Sequence, residues 1–131
     1  MIRKCEHIIS TKDGKRAIYV DSINKNEILE YLNRDERHKK KFKYITEIIL
    51  GGYKNADLYD KEAINEKCKD VTAMKFFKGQ ENDRIYCKEI NSPSGTHIIV
   101  TSILHERKKN TELSSKEIAL IEKVGGYLYE I

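Results

Sequence analysis

DRIYCKEI (residues 83–90), NSPSGT (91–96), HIIVTSIL (97–104), HERKKN (105–110) and SSKEIALIEKV (114–124) form the stretch from which the fold is read. Two apolar, β-branched and aromatic runs flank a segment of Asn, Ser, Pro and Gly, which predicts a strand, a turn and a second strand. Cationic residues and an imidazole follow at once. A helix opening on two serines then closes the segment. A strand thus sets where the charges begin and a helix sets where they end.

Upstream, residues 71–77 place Val71, Ala73, Lys75 and Phe77 in alternation with Thr72, Met74 and Phe76, as in a strand covered on both faces. A turn at 79–83 links it to the strand at 84–90, so three antiparallel strands in series form a meander. RAIYVDS (16–22) reads as the first strand of the sheet. The Asp-Gly turn before it points to a short partner through Ile8 and Ile9. Asn24 or Asn26 sits where a cap is needed, ahead of Ile28, Leu29 and Leu32 at helical spacing. Phe42, Ile45, Ile48 and Ile49 mark a second helical stripe, which Gly51 and Gly52 end. Residues 53–69 are polar and weakly periodic, with a short helix expected around Glu62. The last helix is expected over 114–127, and GYLYEI after it also fits a small strand. The fold class is therefore α+β: an antiparallel or mixed four-stranded sheet, two N-terminal helices on one face and a C-terminal helix, with residues 1–131 as a single domain.

A chain of 131 residues holds one hydrophobic core. Lys and Arg total 25 against 21 acidic residues, an excess too mild to indicate nucleic acid by itself. Cys5, Cys68 and Cys87 show no CxxC spacing and are odd in number, so neither a zinc site nor a complete disulfide framework is expected. No segment reaches the roughly 20 apolar residues that span a bilayer, and the N-terminus lacks a signal-peptide run. A cytoplasmic protein with no membrane partner is the expectation.

The order of these elements, with particular residues in them, resembles the RelE/HigB-like toxin family of bacterial toxin–antitoxin systems, in its phage-derived HigB-related branch. The resemblance rests on Ala73, Met74 and Lys75 in one strand, Arg84, Ile85 and Tyr86 in the next, His105 through Lys109 after the third, and Glu117, Ile118 and Ala119 opening the last helix. It covers residues 17–127. It implies a RelE-like small domain acting as a metal-independent endoribonuclease on mRNA, commonly on the ribosome, silenced by a cognate antitoxin and needing no cofactor. Two residues depart from the family pattern. Lys75 stands where arginine is usual, and Glu106 places a carboxylate inside the basic cluster.

Cleaving RNA without a metal requires a base for the ribose 2′-hydroxyl, positive charge at the scissile phosphate and an acid for the departing 5′-oxygen. Arg84 and Lys75 form a candidate phosphate clamp, with bidentate geometry from one and a point charge from the other. His105 is the candidate acid or base, since imidazole exchanges protons near neutrality. The alternative for His105 is a strand-ending residue bonded to backbone. Tyr127 is placed with the catalytic group because the family often carries a functional polar or aromatic side chain near the C-terminus; Tyr129 is its neighbour. Arg107, Lys108 and Lys109 are read as RNA-backbone contacts. Lys39 and Lys40, within HKKKFK, are a second such contact or else a solvated helix face. Tyr86 is read as core, and Lys88, Glu89 and His97 as surface. Two other functions remain open: an inactive RNA-binding module, and a phage-derived protein-interaction domain.

Overall fold

In the computed structural model, which describes residues 2–106 and 114–131, the chain opens with a hairpin of β1 (Ile2–Ser10) and β2 (Arg16–Asp21). Asn24 stands at the N-cap of the helix that follows but makes no side-chain cap hydrogen bond, and Asp21, at the end of β2, accepts the Ile23 and Asn24 amides in the turn before it at 2.8 and 3.0 Å. Asn24 instead donates its side-chain amide to the Ser102 carbonyl at 2.8 Å. Two helices follow, α1 (Lys25–Leu32) and α2 (Glu36–Leu50), the second capped by Asp35, which accepts the His38 amide at 2.9 Å. Then come β3 (Tyr59–Lys61), a 3-10 turn at Glu66–Cys68, β4 (Val71–Phe76), β5 (Asp83–Asn91), β6 (His97–His105), α3 (Ser115–Gly125) and β7 (Leu128–Glu130).

The sheet has seven strands in the order β3-β4-β5-β6-β2-β1-β7, which corrects the expectation of four. The four anticipated strands, β4, β5, β6 and β2, are neighbours at its centre. The extra ones lie outside them. β1 extends the short partner expected through Ile8 and Ile9 to nine residues, β7 takes up the small strand that GYLYEI fits, and β3, three residues long, is too short to show a period. The helix expected near Glu62 is also corrected. There the chain forms β3 against the β4 edge, because the free N–H and C=O groups of that edge outweigh a weak local preference. β2 runs parallel to β6, and the other central pairs are antiparallel.

Alternation along the strands divides the core. Met74, Phe76, Ile85, Cys87, Ile99 and Ile18 pack beneath Ile28, Tyr31, Ile45 and Ile49 of α1 and α2. Val71, Ala73 and Tyr86 face the other way and meet Ile121 and Val124 of α3. The helices therefore cover both faces, two on one and one on the other. Ser114 caps α3, its hydroxyl accepting the Glu117 amide at 3.2 Å. Among the described residues no helix is long and apolar enough to cross a membrane.

Candidate functional site

Sheet register decides which charged side chains meet. Lys75 on β4 stands opposite Arg84 on β5, and Arg84 stands opposite His105 on β6. Directly paired residues have Cα atoms about 4.5–5.5 Å apart, so the three form a row about 10 Å long on the α3 face. One step deeper on the same face, Ala73 and Tyr86 are buried and Ile103 packs against the α3 cluster. Each strand thus changes from apolar to ionisable at one level, where the cover of Ile121 and Val124 ends. Opposed like charges such as Lys75 and Arg84 destabilise a sheet by roughly 0.2–1 kcal/mol. A pairing kept only for stability would carry opposite signs there.

Within the row Lys75 Nζ donates to the Ala56 carbonyl at 2.7 Å, and Arg84 Nη1 lies 3.3 Å from the Asn82 and Asp83 carbonyls. His105 is about one-fifth exposed, with Nε2 3.8 Å from Glu117 Oε1. That separation suits an ion pair and is too long for a hydrogen bond. Glu117 is 1% exposed, and its other oxygen accepts the Tyr86 hydroxyl at 2.9 Å. Glu117 thus sets a buried carboxylate behind a part-exposed imidazole, within ion-pair reach of it. Tyr86 is buried, in agreement with its reading as core, and its hydroxyl secures Glu117. Glu106 is held at 2.6 Å by Arg34, which also pairs with Glu30 at 3.2 Å. The unexpected carboxylate therefore has its own cation, brought from the junction of α1 and α2.

The remaining candidates lie elsewhere. Arg107, Lys108 and Lys109 fall outside the described residues. Tyr127 is not in the row: just before β7, it packs in the α3-face cluster with Ala73, Tyr86 and Ile121, under the Arg3 guanidinium at 3.9 Å and edge-on to Tyr129 at 6.0 Å. Burial pushes its phenol up. It belongs to a structural hub around buried Asp21, which binds Arg3 at 2.7 and 3.0 Å and the Tyr129 hydroxyl at 2.7 Å. Burial alone would raise the Asp21 carboxyl, but the donors from Arg3, Tyr129 and Asn24 outweigh it and hold the group below the usual range. Lys39 and Lys40 are on α2, across the sheet from the row. Lys39 lies 3.5 Å from Glu36. Lys40 lines an open cleft of about 930 Å³ with Arg37, Lys41, Tyr44 and Lys78, where Arg37 stacks on Phe77 at 3.6 Å and pairs with Glu81 at 2.8 Å.

Residues read as surface turn out to be organised. Lys88 Nζ donates to the Gly125 carbonyl at 2.6 Å, closing the end of α3. Glu89 accepts the Tyr59 hydroxyl and lies 3.3 Å from His97, and all three line a cavity of about 440 Å³ on the α2 face. The signal for this was strand parity: Glu89 shares a face with Ile85 and Cys87, both buried. Among the described residues no cluster of three His, Cys, Asp or Glu side chains could hold a metal ion. The fold and site thus define a small α+β domain with helices on both faces and a cross-strand row of two cations and an imidazole. No protein-family model matches the chain, and comparisons with characterised proteins and with solved structures find no match.

Proposed function

We propose that this chain is a metal-independent endoribonuclease of the RelE/HigB-like kind, acting on mRNA on the ribosome in the cytoplasm and neutralised by a cognate antitoxin. The observation that carries the reading is the alignment of Lys75, Arg84 and His105 across three adjacent strands, with buried Glu117 behind the imidazole. His105 accepts the 2′-hydroxyl proton as that oxygen attacks the adjacent phosphorus. The bond from phosphorus to the 5′-oxygen breaks, leaving a 2′,3′-cyclic phosphate and a 5′-hydroxyl end. Arg84, between the other two, offsets charge growing on the phosphate oxygens. Lys75 carries the protons available to the departing 5′-oxygen. The basic run after His105 extends the phosphate contacts.

A binding module without chemistry is favoured by one observation, the packing of Tyr127 under Arg3 beside β7 and outside the row, which gives the row no phenolic acid from that position. The test incubates purified protein and its His105→Ala variant with mRNA, with and without ribosomes, and maps new 5′ ends. Discrete cleavage that falls by about 10²-fold or more in the variant, at nearly unchanged RNA affinity, supports the enzyme. Equal losses in affinity and turnover make His105 a contact residue. Binding with no new ends from either protein leaves the module. Growth arrest on expression alone, relieved by the product of a neighbouring gene, tests the antitoxin.

A further inference from the structure

The cavity on the α2 face, across the sheet from His105, has a polar floor, a cationic rim and an aromatic wall. Its floor runs across four strands: Tyr59 on β3, Thr72 on β4, Glu89 on β5 and His97 on β6. The Tyr59 hydroxyl donates to Glu89 and lies 2.7 Å from the Thr72 hydroxyl. His97 has Nε2 3.3 Å from Glu89 and Nδ1 3.0 Å from the Asn91 side-chain oxygen, so both ring nitrogens face oxygen. Ile49 and Ile99 add apolar surface. The Glu89 carboxylate is held at the floor by the Tyr59 hydroxyl and faces His97, while three cations gather toward the mouth. Arg16 stands opposite His97 in the sheet, with Nη1 on the Ile49 carbonyl at 3.2 Å. Lys54 and Lys61 join it at the mouth against a lone Asp60.

The glycine pair after α2 builds the wall. Gly51 has an ordinary helical φ of −77°, so ending the helix does not by itself require glycine there. A Cβ at Gly51, however, would lie 2.4 Å from Cε2 of Tyr53. The bare backbone lets the Cδ2 and Cε2 atoms of the Tyr53 ring approach it closely, while Tyr53 stays 70% exposed among the cavity-lining residues. Gly52, at φ +71°, takes a left-handed turn over the Arg16 guanidinium. An exposed aromatic ring at this place offers a face on which a flat ring can stack.

We propose that this cavity binds a small anionic ligand with a flat ring, of mononucleotide size, the anion held by Arg16 and Lys54 and the ring laid on Tyr53. The volume, about 440 Å³, falls within the range of small-molecule sites. Because it occupies the opposite face, the site stands whether or not the row cleaves RNA.

The test is an NMR titration of the full chain with 5′-AMP and 5′-UMP, alongside inorganic phosphate alone and adenosine alone. Saturable shifts of the Gly52, Tyr53, Lys54 and His97 amides are expected, with each half-ligand weaker than AMP by about tenfold or more. Tyr53→Ala and Lys54→Ala, both at exposed positions, should each weaken AMP by about tenfold while RNA cleavage is unchanged. Absence of saturation by about 10 mM nucleotide overturns the proposal. So does unaltered affinity in Tyr53→Ala, or a shift pattern centred on Arg37 and Lys40.

Discussion

Replacing both cations of the row separates RNA binding from stability. In Lys75→Gln/Arg84→Gln the repulsion between two directly opposed positive side chains disappears, a gain of roughly 0.2–1 kcal/mol. Against it stand the Lys75 bond to the Ala56 carbonyl and the longer Arg84 contacts to the Asn82 and Asp83 carbonyls, about 0.5–1.5 kcal/mol for each side chain. These contributions oppose one another, so unfolding free energy should change by no more than about 2 kcal/mol. RNA binding responds differently. Each phosphate contact contributes about 0.7 to the slope of log affinity against log salt for a single strand, so losing two lowers the slope by about 1.4. Fluorescence anisotropy over a series of salt concentrations reads that slope, and urea melts read stability. An unchanged slope, with cleavage intact, would refute the assignment of the row to phosphate. Loss of binding together with several kcal/mol of stability would show that the cations serve the fold.

Three further outcomes follow from the structure. Asp21→Asn leaves Arg3 part-buried without its carboxylate and should cost about 3–5 kcal/mol in urea unfolding. Because the folded Asp21 carboxyl is depressed, its stabilisation is present above the ordinary value of about 3.9 and lost as pH falls through the folded pKa. The gap between wild type and Asp21→Asn should therefore narrow in acid, and a pH series of melts measures it. Gly125→Ala would set a Cβ 2.1 Å from the Lys67 carbonyl oxygen. Either α3 or the 3-10 turn must shift, at a cost of about 1–3 kcal/mol, visible as a lower melting temperature. The Cys5 thiol is pushed up to about 11, by burial first and by Asp21 second. Its alkylation should be slow at pH 8 and keep accelerating beyond pH 10, whereas urea-unfolded protein should follow a free thiol, near 8.5.

The elements legible in the sequence are those whose signal is local. Alternation in 71–77, the apolar run at 97–104, the Asn, Ser, Pro and Gly turn between β5 and β6, and the helical spacing of Ile45, Ile48 and Ile49 each depend on neighbours within a turn or two. The residue types of the row were also legible, since a lysine, an arginine and a histidine sit near the ends of anticipated strands. Three-residue β3 was not, because pairing with an existing edge, and not periodicity, makes it a strand. Tyr127 carried no local sign that Arg3, at the opposite end of the chain, would cover it.

By itself the sequence determined a two-faced sheet with helices from both ends of the chain and a cationic segment leaving β6. Tertiary structure alone decided what those charges face. Register set Lys75, Arg84 and His105 in one row, since a slip of one residue would have sent a side chain to the opposite face. Glu117 reaches its place behind His105 through Tyr86, 31 residues away, and Glu106 finds Arg34 across 72 residues. Glu89 and His97 became the floor of a cavity only because α2 and its glycine pair close over β5 and β6. Such contacts join residues distant in sequence, and their geometry follows from strand register and helix packing, which no local pattern encodes.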